Sequence, residues 1–300
     1  IATEGCCLRR HPMQSEDTHS YNPNQKYKIE LRENMRPDFT VDQRWDHYTA
    51  ADHTLWKELF ERQSKLLPGR ACSEFIDGLK LLNIADQVPR FDELSEILMK
   101  RTGWQVVAVP GAVPGDIFFE HLANRRFPAT DWIRTREQMG YLKEPDVFHD
   151  VFGHVPLLIN PVFADYMQVY GQGGLKAKAL KGIVNLGRLY WYTVEFGLIK
   201  SKRDNGELRI YGAGILSSSE ETIYSLKSRV PQRIAFDVKR IMRTNFHISH
   251  LQEIYFVIDD FEQLFDATRP DFGPYYEELR GQTPYQPTDP VKHDRLIAID

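Results

Sequence analysis

The feature that most constrains this chain is a single carboxylate inside a strongly apolar stretch. Residues 189–199 read Leu-Tyr-Trp-Tyr-Thr-Val-Glu-Phe-Gly-Leu-Ile, and Glu195 is the one charged side chain among them. A stretch of this composition is expected to be buried, and an unpartnered carboxylate in an apolar environment is costly. The fold must therefore bring a cationic side chain or a metal ion to Glu195.

Two histidines upstream are the candidate partners of this carboxylate. Residues 144–156 read Glu-Pro-Asp-Val-Phe-His-Asp-Val-Phe-Gly-His-Val-Pro, which places His149 and His154 five residues apart. Five positions on an α-helix correspond to about 500°, so the two imidazoles would point apart on an unbroken helix. Gly153 and Pro156 favour a helix exit, with His149 on the last turn and His154 folding back from the next segment.

Two neutral imidazoles and one carboxylate are the donor set of non-haem iron(II) oxygenases, in which they occupy one face of an octahedron. We therefore predict that His149, His154 and Glu195 bind a metal ion. Taken alone, each residue has a simpler explanation, as a hydrogen-bonded core histidine or as one half of an ion pair. A zinc hydrolase is the enzyme alternative, but its His-Glu-x-x-His motif requires a different spacing and a glutamate where this chain has Asp150.

Three separate motifs carry a family resemblance. They are His149-Asp-Val-Phe-Gly-His154-Val-Pro, Tyr190-Trp-Tyr-Thr-Val-Glu195-Phe-Gly and Tyr211-Gly-Ala-Gly-Ile-Leu-Ser-Ser218. In this order they resemble the pterin-dependent aromatic amino acid hydroxylases, in particular the short bacterial members, from about Tyr48 to about Asp271. The resemblance implies a mainly α fold with small β additions, arranged as a helical basket with the iron at the base of a cleft. A non-catalytic binding protein with this fold is the second alternative, which loss of a ligand would favour.

The resemblance also implies a reaction and its cofactors. The expected reaction is the hydroxylation of L-phenylalanine to L-tyrosine, the first step of phenylalanine catabolism. The expected cofactors are Fe(II) and tetrahydrobiopterin or a related tetrahydropterin, with O2 as co-substrate and a metabolic link to a pterin-recycling dehydratase. Ile248 is apolar where tyrosine-hydroxylating relatives tend to carry an acidic residue, and this favours phenylalanine as the substrate.

Several residues are implied to bind the substrate. Arg134 matches the arginine that pairs with the amino acid carboxylate, and its planar guanidinium can bind both carboxylate oxygens. Pro145, His149 and Trp191 would form walls around the ring, and Ser217 would hydrogen-bond a ligand histidine and fix its orientation. The simpler explanations are a surface ion pair for Arg134, a first helical residue for Pro145 and a core residue for Trp191.

The implied pterin-binding residues are Gly111, Val113, Phe118, Asp150, Gly187 and Tyr190. Phe118 would stack on the pterin. Gly111 to Val113 would offer backbone groups to the donor and acceptor edge of the pterin, and glycine suits this because it has no side chain to hold the ligand away. Without the resemblance, the segment around Gly111 is an ordinary turn between a strand and a helix.

Composition limits the partners of the chain. With 300 residues, 42% of them hydrophobic, the chain can bury a large core, and a net charge of −4 gives no reason to expect nucleic acid. No stretch approaches the roughly 20 apolar residues of a membrane span. The three cysteines, Cys6, Cys7 and Cys72, are poorly placed for a disulfide framework, so we expect reduced thiols and a cytoplasmic enzyme.

We divide the chain into three parts. Residues 1–45 are polar and are predicted to form a loosely ordered arm, residues 46–271 the catalytic iron and pterin domain, and residues 272–300 a proline-containing tail. The tail has no heptad pattern, so we expect a monomer rather than a coiled-coil tetramer, with a surface-mediated dimer as the alternative.

Apolar periodicity predicts the secondary structure. Thr49 is the predicted N-cap of a helix that ends before Pro68-Gly69. We also predict helices near residues 75–82, 94–98, 116–124, 162–170 and 175–199, and strands at residues 104–109, 207–211 and 254–258. The glycine-rich run 171–174 lacks the lysine and the preceding strand of a phosphate-binding loop, so we interpret it as a turn.

Overall fold

The computed structural model describes residues 32–140, 142, 144–248, 250–289 and 291–299. Helices predominate over strands, which confirms the mainly α expectation. The helices are α1 (Ala50–Leu66), α2 (Ser73–Leu82), α3 (Phe91–Arg101), α4 (Gly115–Ala123), α5 (Pro161–Ala179), α6 (Ile183–Tyr190), α7 (Ala213–Leu216), α8 (Ser219–Lys227), α9 (Val238–Met242), α10 (Phe261–Thr268) and α11 (Gly273–Leu279). Two segments, Phe148–His154 and Trp191–Glu195, are π-helical.

The strands form two small sheets within the described ranges. They are β1 (Gln105–Val109), β2 (Arg126–Thr130), β3 (Leu198–Ile199), β4 (Arg209–Ile210), β5 (Gln232–Ala235) and β6 (Ile254–Ile258). β1 and β2 pair in parallel, with α4 as the crossover between them. The second sheet has the order β4-β3-β6-β5, in which only β3 and β4 are antiparallel. Sequence periodicity did not predict β2, β3 or β5.

The first long helix follows its sequence signals closely. Thr49 Oγ1 accepts a hydrogen bond from the Asp52 backbone N–H, and the Asp52 carboxylate accepts one from the Thr49 backbone N–H at 2.8 Å, which is a complete capping box. The helix ends at Leu66, and Gly69 then adopts φ +70°, a conformation that favours glycine. The predicted start and end of this helix are confirmed.

A cluster of aromatic rings joins α1 and α2 to the π-helical segment that carries the two histidines. Phe148 and Phe152 of that segment stack on each other with ring centroids 4.7 Å apart. Trp56 and Phe60 of α1 and Phe75 of α2 pack edge-on against these two rings, at 5.3–5.9 Å. Edge-to-face and offset packing of this kind stabilises a core beyond simple burial, and here it anchors the segment on which the site is built.

The interpretation of residues 171–174 as a turn is wrong, because they lie inside α5. The physical reason is the close approach of α4. A Cβ on Gly171 would lie 2.4 Å from the backbone nitrogen of Ala123, and one on Gly174 would lie 2.1 Å from the Phe119 ring. These glycines therefore serve helix packing and not chain reversal.

The predicted helix over residues 175–199 is correct only in part. α5 ends at Ala179, Lys181 adopts φ +58°, and the chain restarts as α6 before it widens into the second π-helical segment. Leu198 and Ile199 then form β3, paired in parallel with β6. Periodicity could not reveal the later breaks, because within residues 189–199 most side chains are apolar whichever face is buried.

Both ends of the described chain contact the body. Val41 donates a backbone hydrogen bond of 2.9 Å to Ala108 of β1, and in the tail Leu296 pairs with Ile234 of β5. Residues 1–31, which make up most of the predicted arm, lie outside the described residues, and the three-part division stays a prediction. Within the described ranges, no helix has both the length and the apolar character needed to cross a bilayer.

Glycine-to-alanine substitutions in α5 test the packing of α4 on α5. We expect Gly171→Ala to lower the free energy of unfolding by about 1–3 kcal/mol, because the new methyl group would overlap backbone atoms of α4. Gly173→Ala is the matched control, since a Cβ there meets nothing within 4 Å, and it should raise stability by about 0.5–1 kcal/mol. Denaturant unfolding measures both, and equal effects of the two substitutions would contradict the packing.

Candidate active site

The wide π-helical turn places the two histidines on one face. In a π-helix the hydrogen bonds run from residue i to residue i+5, so residues five apart lie one above the other. His149 and His154 have this spacing within Phe148–His154, and their Nε2 atoms are 3.3 Å apart. Pro156 favours the wide turn, because its ring clashes with the carbonyl four residues earlier and it has no N–H to donate.

The predicted helix exit at Gly153 is therefore wrong, because this residue lies inside the π-helical segment. Gly153 serves a different purpose, since a Cβ there would lie 3.0 Å from the carbonyl oxygen of Ala213. The first turn of α7 packs directly on the histidine segment at this point. α7 also carries the chain to Ser217, which follows it immediately.

Glu195 completes a compact set of three donors. It ends the second π-helical segment, and its carboxylate lies 3.5 Å from His149 Nε2 and 3.3 Å from His154 Nε2. Donor atoms about 2.1 Å from a shared metal ion and at right angles to one another are about 3 Å apart. The three observed separations are close to this value, so the residues fit a metal ion bound on one octahedral face.

The electrostatics of the cluster also suit a divalent cation. Burial lowers the pKa of His149 to about 4, so this imidazole is neutral at pH 7 and presents a lone pair. Burial alone would raise the pKa of Glu195, but the adjacent His154 and His149 outweigh it, and the pKa lies below its ordinary value. The neutral His149 imidazole, the His154 imidazole and one carboxylate therefore converge on one point.

Ser217 sets the tautomer of His149. Its hydroxyl donates its single proton to the Ala213 carbonyl at 2.8 Å. The 2.9 Å contact between Ser217 Oγ and His149 Nδ1 must then be donated by the Nδ1–H. The proton on Nδ1 leaves Nε2 unprotonated, and Nε2 is the atom that faces His154 and Glu195.

Asp146 joins the predicted substrate arginine to the metal-binding segment. Arg134 donates to the Asp146 carboxylate from Nε at 2.8 Å, from Nη2 at 2.7 Å and from its backbone N–H at 2.9 Å. The same carboxylate accepts the backbone N–H of His149 at 3.0 Å, and both side chains of the ion pair are buried. Arg134 is thus in a buried ion pair rather than a surface one, and its Nη1–Nη2 edge is directed away from Asp146.

The residues predicted to surround a substrate ring differ in their exposure to solvent and in their packing. Trp191 stacks on Phe246 with ring centroids 4.3 Å apart, and its indole N–H donates to Gln252 at 2.9 Å. Pro145 is exposed in the segment that leads into the histidine helix. Ile248 is 42% exposed, in the loop that also carries Phe246. Trp191 is therefore a half-buried ring held by Phe246 and Gln252, one helical turn before the predicted metal ligand Glu195.

The predicted pterin-binding residues converge from three elements. The rings of Phe118 on α4 and Tyr190 on α6 meet edge-on at 5.6 Å, and Tyr190 lies 6.3 Å from the ligand imidazole of His154. Gly187 lies one turn before Tyr190 on α6. Asp150 is buried and accepts hydrogen bonds from the backbone N–H and hydroxyl of Thr130, and burial raises its pKa to about 7.

The loop between β1 and α4 has the open surface that the pterin prediction requires. A Cβ built on Gly111 meets nothing within 4 Å, and Val113 is half-buried. The space beside Gly111 is therefore available to a ligand, in keeping with a glycine that lets a flat ring approach the backbone.

Sequence reasoning missed Asp146, Thr130 and Gln252. Each is a buried polar residue that supports one of the predicted site residues through hydrogen bonds. Asp146 had a signal, since it lies in the histidine motif three residues before His149. The other two had none, because their partners lie 20 and 61 residues away in the chain.

The fold and the site together define a mainly helical protein in which two histidines and one carboxylate fit a non-haem iron ion. A family model described as biopterin-dependent aromatic amino acid hydroxylase matches residues 10–274. The chain belongs to this family.

Individual relatives support the same placement. The chain is 61% identical over 264 residues to phenylalanine-4-hydroxylase of Ralstonia nicotianae. The aligned region covers 88% of this chain and 83% of the relative. It is 58% identical over 261 residues to the phenylalanine-4-hydroxylase of Chromobacterium violaceum, with 87% of each chain covered.

Two solved structures of the Chromobacterium violaceum enzyme are also similar to this chain. One, described as bound to iron and phenylalanine, matches with a TM-score of 0.83 and 57% identity, over 87% of this chain and 94% of that one. Another holds iron(III) and the oxidised cofactor 7,8-dihydrobiopterin, and it matches with a TM-score of 0.84 and 56% identity, over 89% and 95% of the two chains.

Ser217→Ala tests the orientation of His149. Without the acceptor for Nδ1–H, the imidazole loses the contact that fixes its tautomer, and we expect affinity for iron(II) to fall about 10- to 100-fold. Competition with a chelator measures the affinity. Ser225→Ala is the matched control, because Ser225 is also buried and its Oγ has no hydrogen-bond partner within the described residues. Unchanged iron affinity in Ser217→Ala would show that the contact does not orient the ligand.

Proposed function

We propose that this chain is a pterin-dependent iron monooxygenase that hydroxylates L-phenylalanine to L-tyrosine with O2. The observation that carries this proposal is the cluster of His149, His154 and Glu195 in a member of the hydroxylase family, in which the two Nε2 atoms are 3.3 Å apart and each lies 3.3–3.5 Å from a Glu195 carboxylate oxygen. The curated relatives at 55–61% identity are all phenylalanine-4-hydroxylases. This reaction would be the first step of phenylalanine catabolism.

Iron(II) and a tetrahydropterin, when bound, supply the activation of dioxygen that an ordinary side chain cannot perform. The contribution of the chain is to hold the donors on one face and to leave the opposite positions open. Ser217 keeps His149 in the tautomer whose Nε2 is unprotonated. The stacked Phe148 and Phe152 keep the histidine segment in place from the core side.

Arg134 is the proposed partner of the substrate carboxylate. Its Nε and Nη2 atoms are already paired with Asp146, which leaves the edge formed by Nη1 and Nη2 for a second carboxylate. Asp146 also holds the backbone of His149, so the substrate anchor and the metal ligand are fixed by the same buried group. Such a shared support positions the amino acid relative to the metal.

Trp191 and Pro145 are the proposed walls of the slot for the aromatic ring, with the His149 imidazole as the third. Trp191 is held on one face by Phe246 and at its indole N–H by Gln252, so the ring presents a fixed apolar surface. An apolar residue at Ile248 is consistent with a substrate ring that has no hydroxyl group.

The pterin is proposed to stack on Phe118 and to present its donor and acceptor edge to the backbone between Gly111 and Val113. Open space at Gly111 and the adjacent Tyr190 ring support this position. Asp150 and Gly187 are the further proposed contacts. Tetrahydrobiopterin or a related tetrahydropterin fits this set.

We also propose a cytoplasmic monomer that is linked to a pterin-recycling dehydratase through its oxidised cofactor. The support is the free, buried thiol of Cys72, a tail without heptads and the chemistry of the pterin product.

The decisive experiment is anaerobic reconstitution with iron(II), followed by phenylalanine, tetrahydrobiopterin and air, with tyrosine and oxidised pterin quantified together. Equal amounts of both products support the proposed function. Pterin oxidation without tyrosine would overturn phenylalanine as the substrate. Activity with zinc in place of iron and without dioxygen would overturn the monooxygenase in favour of a hydrolase.

Arg134→Lys tests the carboxylate anchor. Lysine cannot present two parallel N–H groups, and charge-assisted hydrogen bonds contribute about 1.5–3 kcal/mol, so KM for phenylalanine should rise roughly 10- to 100-fold. Iron content should not change. Arg136→Lys is the matched control, because Arg136 lies in the same loop but pairs with Glu58 at the surface. An unchanged KM in Arg134→Lys would remove Arg134 from the substrate site.

Glu195→Gln tests the metal site. The amide removes the negative charge of the donor set, so we expect loss of most bound iron and of tyrosine formation, with the circular dichroism spectrum unchanged. Glu220→Gln, at an exposed position on α8, should retain both iron and activity. Full hydroxylation by an iron-free Glu195→Gln protein would contradict the assigned ligands.

A further inference from the structure

A second group of potential metal ligands lies outside the site described above. His247, His250 and Glu253 follow one another at three-residue intervals in the turn before β6, and their donor atoms all lie within 4.8 Å of one another. The two imidazole rings are 4.8 Å apart between centroids and tilted by 30°. None of these residues has a function in the proposed hydroxylation. We call this group the imidazole turn.

A buried amide holds the backbone of the imidazole turn. Gln252 is 5% exposed, and its Nε2 donates to the carbonyl oxygens of His247 at 2.9 Å and His250 at 3.3 Å. Its own backbone N–H donates to the buried carboxylate of Glu221 at 3.1 Å. The positions from which the two imidazoles project are therefore set by the core, while His250 itself is exposed to solvent.

The same amide connects the imidazole turn to the substrate site. Gln252 Oε1 accepts the indole N–H of Trp191 at 2.9 Å. Phe246, which precedes the turn, stacks on the Trp191 ring at 4.3 Å with the ring planes 13° apart. Any change in the turn therefore acts directly on two of the contacts that hold Trp191, whose ring also packs on Phe196 at 4.6 Å.

The donor set determines which ions suit the imidazole turn. Two imidazoles and one carboxylate favour late first-row divalent ions such as Zn²⁺. Mg²⁺ and Ca²⁺ are disfavoured, because they require mainly oxygen donors. Tetrahedral donors about 2.1 Å from zinc are about 3.4 Å apart, so the turn must contract by at most about 1.5 Å. Burial, and then the neighbouring His250, lower the pKa of His247 below its ordinary value.

We propose that His247, His250 and Glu253 bind one late first-row divalent cation, and that this ion braces the turn that supports Trp191. Three protein donors leave a fourth position on the ion for water. The bound ion restrains His247 and His250, whose carbonyl oxygens accept hydrogen bonds from Gln252. It thereby restrains Gln252 and Phe246 against the Trp191 indole. The effect on Trp191 rests on the proposed function, whereas the binding of the ion does not.

The test uses the iron-loaded holoenzyme and Zn²⁺ as the probe. After equilibrium dialysis against zinc under anaerobic conditions, elemental analysis should find one iron and one zinc per chain. His250→Asn and Glu253→Gln should each lose the zinc and keep the iron. The matched control is His293→Asn, which removes an exposed histidine from the tail and should keep both ions. The melting temperature of the metal-free variants shows whether they remain folded.

Two results would overturn the site. One is a holoenzyme that takes up no zinc, and the other is zinc uptake matched by an equal loss of iron, which would place the zinc on His149, His154 and Glu195. Retention of the second ion by both His250→Asn and Glu253→Gln would exclude these ligands in the same way.

The effect of the bound ion on Trp191 is tested separately, by the KM for phenylalanine. Zinc should change KM for phenylalanine at least about twofold in the wild type and in His293→Asn, and it should leave KM unchanged in His250→Asn. Zinc bound at one per chain with no change in KM would overturn the bracing of Trp191 while the ion site stands. Absence of any hydroxylation in the iron-loaded wild type would overturn the proposed function instead, and the zinc count would still decide the ion site.

Discussion

The structure depends on one largely buried carboxylate beside two imidazoles. Glu195, His149 and His154 come from two helical segments, and their donor atoms lie 3.3–3.5 Å apart. A buried anion without a compensating cation is unfavourable, so the arrangement is costly unless a metal ion binds it. The surrounding elements can be understood by how they hold these three side chains in place.

Both ligand segments are π-helical, and this shared geometry has a physical basis. The wide turn is rarely stable in an isolated helix, because its hydrogen-bond geometry and packing are poor. Here the stacked rings of Phe148 and Phe152, with Trp56 on one side, stabilise the histidine segment from the core. Tertiary packing therefore stabilises a local conformation that sequence periodicity would not suggest.

Buried polar groups connect the proposed metal ligands to the proposed substrate contacts. Asp146 holds Arg134 and the backbone of His149, while Ser217 holds the His149 ring and Gln252 holds Trp191. Each of these groups is satisfied by partners on other elements, as buried polar groups must be. The proposed metal ligands and substrate contacts consequently share one rigid set of supports, and the imidazole turn is attached to that set at Gln252.

The sequence by itself determined the ligand types, the mainly α class and the elements with strong local signals. The helix N-cap at Thr49 and the strand β6 were predicted because short-range rules decide them. Only the tertiary structure decided that Gly153 lies inside a helix, that Gly171 and Gly174 pack against α4, and that Asp146 pairs with Arg134. The reason is common to all three: each depends on contact with a segment distant in the chain, and local periodicity carries no information about such contacts.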